Sequence, residues 1–311
     1  MGTTIVPAGA LGHHRDVPTQ PVLIATDLTA DSEPALVRGR AHADAIGAPW
    51  IVCHVIPDVL RHHPLAPRRD ENDLALAGGL TKQAADLATE QVGRVLGASP
   101  DDYRVLIETG NAEDEIVRIA EAEAAVLVVL GAKPRRGAEL GRVAERVVRY
   151  VHTSVLVARP GNATGKILVG TDFTEASLPA VRFAAMLVEK TGADGTLLHV
   201  MQMPSAAAAA LGSVATALGS GWVPPSPMTT AKLEELGSAT LDGLAKEHGF
   251  AHAEQVEGED AADVLLGRAS ALGAEMIVMG SRGRSGLSRL VLGSTAEKVI
   301  RKADTSVLVV R

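Results

Sequence analysis

The residues best equipped for chemistry lie in one glycine- and hydroxyl-rich stretch. Gly280 and Gly283 are followed, after nine further residues, by Gly293, Ser294 and Thr295, a spacing of G-x2-G-x9-G-S/T. Residues 275–279 before it are apolar and read as a buried parallel strand, and residues 296–303 after it carry apolar side chains at helical spacing. Glycines between a strand and a helix let main-chain N–H groups converge on an anion, and the helix start adds a partial positive charge. Gly280 and Gly283 are expected to allow close backbone approach and positive φ. Ser294 and Thr295 offer hydroxyl donors, one of which is expected to cap the helix. The pattern is neither the Walker A loop G-x-x-x-x-G-K-S/T nor the dinucleotide fingerprint G-x-G-x-x-G. A plain strand-to-helix connection also uses glycine, so turn geometry is the alternative reading.

The elements that must position this stretch are written twice. Residues 21–28, ending Thr26, Asp27 and Leu28, match residues 166–173, ending Thr171, Asp172 and Phe173. His54 and Val55 match His199 and Val200, the apolar run to Gly131 matches the run to Gly280, and residues 153–159 match residues 305–311. Matching blocks in one order indicate a tandem duplication of a unit of about 145 residues, an ordinary domain size. In the first unit strands are expected near 21–26, 50–55, 103–108, 125–130 and 154–158, with helices near 32–46, 80–97, 112–123 and 141–151. In the second, strands are expected near 166–171, 195–200, 252–257, 275–279 and 306–310, with helices near 176–192, 229–248, 260–272 and 294–303. This alternation predicts an α/β fold of two tandem, doubly wound, five-stranded parallel-sheet domains. Ligands in such sheets sit beyond the carboxyl ends of the strands, where strand order reverses. The expected domains are 20–160 and 166–311, with residues 1–19 as a flexible tail. Two longer connections, 57–79 and 204–228, are expected as loops; the first holds His62 and His63, the second Trp222.

The spacing around Gly280 resembles the nucleotide-binding signature of universal stress proteins. The paired units resemble the tandem form of that family over most of the chain. The resemblance implies a Rossmann-like fold of the adenine nucleotide alpha hydrolase kind. It implies that Gly170, Thr171 and Asp172 lie beside an adenine and that Val200 contacts the base through its main chain. Met279, Gly280, Arg282, Gly283, Gly293, Ser294 and Thr295 are then the ribose and phosphate cradle. The ligand so implied is ATP, with or without magnesium, with AMP or ADP as variants. The function so implied is a cytoplasmic stress-response regulator or sensor that acts on a protein partner. Family members join two such domains antiparallel through their last strands. Here that implies an internal pseudo-dimer and, beyond it, a homodimer. The alternatives are a slow ATPase or nucleotide-processing enzyme of the same fold, and a scaffold that holds no nucleotide.

The first unit departs from the pattern. Its loop runs from Gly131 to Gly141 and is three residues shorter; Pro134 stands in place of the second glycine and removes an N–H donor. Arg142 and Val143 replace the hydroxyl pair. ATP is therefore expected in the second domain, with weak or no binding in the first. Lys133, Arg135 and Arg136 either grip an anion from their side chains or form a solvated charge run, the commoner case.

Composition narrows the rest. A net charge of −7 and 2% aromatic residues argue against a nucleic-acid surface. No apolar run reaches the roughly 20 residues of a membrane helix. The single cysteine, Cys53, lies in an apolar strand and reads as a small core residue. His54 and His199, inside equivalent strands, read as core histidines bonded to main chain. No nucleophile elbow, kinase signature or cysteine–histidine metal spacing is present, so no catalytic or metal-ligating residue is assigned.

Overall fold

The computed structural model describes residues 4–5, 20–58, 71–132, 140–161, 163–202, 227–283 and 292–311. The first half runs β1 (Thr4–Ile5), β2 (Val22–Ala25), α1 (Glu33–Ile46), β3 (Trp50–Pro57), α2 (Glu71–Leu96), β4 (Arg104–Gly110), α3 (Ala112–Ala122), β5 (Leu127–Gly131), α4 (Arg142–Tyr150) and β6 (Ser154–Ala158). The second runs β7 (Lys166–Thr171), α5 (Leu178–Thr191), β8 (Asp194–Gln202), α6 (Pro227–His248), β9 (His252–Gly258), α7 (Ala261–Leu272), β10 (Met276–Gly280), α8 (Ser294–Lys302) and β11 (Ser306–Val310).

The described strands form one 11-stranded sheet in the order β1-β4-β3-β2-β5-β6-β11-β10-β7-β8-β9. Within each half the pairing is parallel among its five long strands, and the order reverses at β2/β5 and at β7/β10. Strands such as Val22–Ala25 and Met276–Gly280 are buried along their whole length, because helices cover both faces. Side chains alternate between faces. Leu23 joins the core under α3 and α4, while Ile24 joins the core under α1 and α2.

The halves join where β6 and β11 pair antiparallel, Val157 opposite Val307 and Leu156 opposite Leu308. Two arginines repeat across this seam. Arg159 donates from Nη2 to the Ile300 carbonyl of α8 at 2.6 Å, and its N–H donates to Ser306 Oγ at 3.1 Å. Arg311 does the same in reverse, reaching the Val148 carbonyl of α4 and Ser154 Oγ. Each guanidinium thus satisfies carbonyls near the end of the other half's last helix, where cations are favoured. Arg149 and Glu297 add an ion pair between α4 and α8 at 3.4 Å. These contacts realise the internal pseudo-dimer.

Two expectations change. Within the segment 1–19, expected as a flexible tail, Thr4 and Ile5 pair antiparallel with Ile107 and Leu106 and cover the outer edge of β4. The helix expected from residue 80 begins at Glu71, which shortens the expected 57–79 connection. Residues 62–63 and 222, with Lys133, Pro134, Arg135 and Arg136, lie outside the described residues. Among the described residues no helix is long and apolar enough to cross a membrane.

Candidate functional site

The chain leaves β7 through a turn built from four adjacent residues. Asp172 Oδ1 accepts from Thr174 N–H at 3.1 Å and from Thr174 Oγ1 at 2.6 Å, while Thr171 Oγ1 accepts from Phe173 N–H at 3.2 Å. Ser177, at the start of α5, donates to the Thr174 carbonyl at 2.9 Å. These bonds hold Phe173 at φ 64°, a left-handed conformation that costs a non-glycine residue about 1–3 kcal/mol. Leu28 repeats it at φ 63° in the first half, with Asp27 and Thr29 bonded alike. Phe173 stacks on His199 with ring centres 4.0 Å apart. His199 Nδ1 lies 2.9 Å from the Thr171 carbonyl, which only accepts, so that nitrogen carries the hydrogen. His54 makes the same bond to Thr26. Both histidines fix the strand ends, as their apolar setting predicts.

The glycine-rich stretch forms the facing wall. Ser281 N–H donates to the Val310 carbonyl at 3.0 Å, and Gly293 N–H donates to the Ser281 carbonyl at 2.8 Å. The chain therefore returns to the point where it left β10, and α8 starts directly over the strand end. Gly280 and Gly283 do not have positive φ; their role is space. A Cβ on Gly280 would lie 2.9 Å from the Ala176 carbonyl oxygen, and one on Gly283 would lie 2.8 Å from Asp172 Oδ2. The capping role expected of Ser294 or Thr295 is also corrected. Gly293 occupies the N-cap and no side chain caps α8, so Ser294 and Thr295 stand in its first turn. The main-chain N–H groups of that turn have no helical acceptor, and Gly293, Ser294, Thr295 and Ala296 border the cleft between the two walls.

Between these walls is a cleft of about 310 Å³, within the range of small-ligand sites. Gly170, Thr171, Asp172, Val200, Met279, Gly280, Arg282, Gly283, Gly293, Ser294 and Thr295 all line it. Sequence reasoning missed Leu198, Leu265 and Ala261, which supply its apolar floor and one rim. Leu265 lies so close to Gly170 that a Cβ there would meet its methyl at 3.1 Å. The small pair Ala261 and Ala262, opening a helix beside a glycine-rich loop, was the available signal. Asp260 caps α7 through Ala262 N–H at 2.9 Å and binds Lys298 Nζ at 2.7 Å, and Asp263 takes the same ammonium at 2.7 Å. The Lys298 ammonium is the main reason the Asp260 carboxyl sits below its ordinary range. This clasp keeps the starts of α7 and α8 side by side.

The first half has the same frame with different contents. The registers place Ala25, Cys53 and Leu130 where the second half has Gly170, Leu198 and Met279. Ala25 thus adds a methyl where the second floor has none. Arg142 follows the N-cap Gly141 as Ser294 follows Gly293. Gln91 of α2, 4% exposed, also clamps the first turn, accepting from Thr26 Oγ1 at 2.7 Å and donating to the Thr29 carbonyl at 3.0 Å. Cys53 is buried, and burial pushes its thiol up to about 12, consistent with a core residue.

The model described as "Universal stress protein family" matches residues 18–159 and again residues 164–311. A universal stress protein of Mycolicibacterium smegmatis is 27% identical over 314 residues, spanning 93% of this chain and 96% of that protein. Another, from Methanocaldococcus jannaschii, is 30% identical over 169 residues, spanning 53% of this chain and 92% of that protein. Among solved structures, a universal stress protein from Archaeoglobus fulgidus aligns with a TM-score of 0.60 at 19% identity, over 94% of this chain and 98% of that one, a likeness of fold.

Proposed function

This chain belongs to the universal stress protein family, and from that premise we propose that its second domain holds an adenine nucleotide, ATP in the first instance, and acts as a stress-response regulator. The observation that carries this reading is the uncapped start of α8, seated over the β10 strand end beside Gly283 and Arg282. Main-chain N–H groups of the first turn, two hydroxyls and a guanidinium suit the phosphates. The apolar floor of Leu198, Val200, Leu265 and Met279 suits a base, and Asp172 Oδ2 offers an acceptor to a ribose hydroxyl or an amine.

The site suits holding better than turnover. Among its described lining residues Asp172 is the one carboxylate, and its Oδ1 is already occupied by Thr174. Phosphoryl transfer needs positioned metal-binding carboxylates and an aligned attacking group. Magnesium, if it accompanies ATP, is then held chiefly through the phosphates. We further propose a homodimer and a regulatory protein partner in the cytoplasm. The experiment is to denature purified protein and identify the released small molecules by mass spectrometry. An adenine nucleotide is expected from the native protein and none from Gly293→Val. Equal release from both would refute the site, and steady ATP turnover lost in Gly293→Val would favour the slow-enzyme alternative.

A further inference from the structure

A buried polar trio crosses between the halves on the α1 side of the sheet. Arg38 of α1 pairs with Glu275, the residue before β10, with Nη1 3.2 Å from Oε2. One turn further along α1, His42 is 6% exposed. Its Nδ1 lies 2.7 Å from the Arg38 carbonyl, which only accepts, so Nδ1 carries the hydrogen. Nε2 is then an acceptor. Among the described residues it is buried with no hydrogen-bond partner, as is Glu275 Oε2. The second half carries the comparison within the same chain. α1 and α5 both run 14 residues into a left-handed glycine cap, so Arg38 corresponds to Phe183 and His42 to Leu187. Val126 and Glu275 donate their main-chain N–H groups to Pro21 and Lys166, the equivalent residues that open each unit, so they correspond as well. Leu187 is buried, and Phe183 and Val126 pack against the same core. The fold thus closes the mirrored position with apolar side chains, and the ionisable trio is peculiar to one side.

We propose that Arg38, His42 and Glu275 form an acid-operated latch, which holds α1 of the first half against the second half at neutral pH and releases it in acid. A proton on Nε2 places a second cation beside Arg38 in a dry site with one carboxylate to share. No other charge relieves it. Strands β2, β5 and β6 beneath α1 carry no charged residue. In β3, Cys53 lies in the core on the opposite face and His54 is bonded to the Thr26 carbonyl. Among the described side chains, Lys82, Asp86, Glu90 and Arg94 of α2, Arg182, Glu189 and Lys190 of α5, and Lys166 are exposed. On α1 itself Glu33 pairs with Arg94 and Arg40 with Asp44. Burial is the main cause that holds the His42 ring below its ordinary value; the Arg38 guanidinium adds to it, and the Arg38 carbonyl and Glu275 oppose it. A released ring binds its proton at about pH 6.5. Closure is therefore complete above that pH and is lost, by about tenfold per pH unit, as pH falls toward the folded value. The latch does not depend on what the second cleft holds.

The test is hydrogen–deuterium exchange on the full chain at pH 7.5 and pH 5.5, expressed as protection factors so that intrinsic exchange rates cancel. In wild type the α1 amides should lose about three- to tenfold in protection between the two pH values, while α7, on the other face of the sheet, holds within twofold. His42→Leu, which copies Leu187, should confine the α1 change to less than twofold. If His42→Leu does not fold, His42→Gln, which keeps a polar side chain without a titratable ring, carries the same expectation. Glu275→Gln, which leaves Arg38 without its counter-charge, should lower α1 protection at least threefold at pH 7.5. Equal pH-dependent losses in wild type and the His42 variant overturn the proposal. So does a loss spread evenly over α1 and α7, which would be general acid unfolding, and so does unchanged α1 protection in Glu275→Gln.

Discussion

Gly283→Ala separates binding from folding. A methyl on Gly283 would lie 2.8 Å from Asp172 Oδ2 and 3.8 Å from its Cγ. The obstructed atom is the end of a side chain, so the carboxylate yields before the backbone does. Asp172 Oδ1 is pinned twice by Thr174, which leaves rotation of Oδ2 away from the cleft as the available relief. The ligand then loses one charge-assisted hydrogen bond, about 1.5–3 kcal/mol or about 10- to 150-fold in Kd. Stability should change by less than about 0.5 kcal/mol, because a glycine-to-alanine change in a surface loop also lowers the entropy of the unfolded chain. Gly280→Ala is the contrast. Its methyl would meet main-chain atoms, the Ala176 oxygen at 2.9 Å and Ser177 Cα at 3.2 Å, so the start of α5 must move at a cost of about 1–3 kcal/mol. ATP titration and thermal unfolding of both variants make the comparison. Unchanged affinity in Gly283→Ala would refute the placement of Asp172 at the ligand. An equal loss of stability in the two would refute the steric argument.

Three further outcomes follow from the same contacts. Arg159→Ala, which strips two carbonyls near the end of α8 of their donor, should lower stability by about 2–4 kcal/mol in urea unfolding; a change below about 0.5 kcal/mol would deny it a role in joining the halves. Because the folded Glu113 carboxyl titrates below its ordinary value, its stabilisation is complete above about pH 4.3 and is lost as pH falls through the folded value. The melting-temperature gap between wild type and Glu113→Gln should therefore be widest near neutrality and close in acid; a gap that widens in acid would reverse the sign. The Cys53 thiol, pushed up to about 12, should resist a thiol reagent at pH 8 in the folded chain and react fully in urea, and rapid native labelling would show that its strand opens.

The duplicated strands and most of the described cleft were legible because they depend on local pattern. Short apolar runs between turn residues marked the strands, and a repeated order marked two units. The G-x2-G-x9-G-S/T spacing placed Met279 to Thr295 together, since a strand, a loop and a helix start are contiguous in the chain. Less visible was what each residue does there. Gly280 and Gly283 serve close approach and not positive φ, which depends on Ala176 and Asp172 more than a hundred residues away in sequence. The Glu113–Arg142 pair spans 29 residues and two elements, so only the parallel register brings it together. The early start of α2 was hidden by Gly78 and Gly79, which suggest a break; both lie in open space inside the helix. Glycine there costs about 1 kcal/mol per residue, and the packing of Ala84, Ala85, Ala88 and Val92 against the sheet offsets it.

The direct test is the stoichiometry of ATP binding by titration calorimetry on the intact chain. One site per chain, abolished by Ser294→Arg and untouched by Arg142→Ser alone, is the predicted result. Two sites of equal affinity, or a single site that persists in Ser294→Arg, would contradict it.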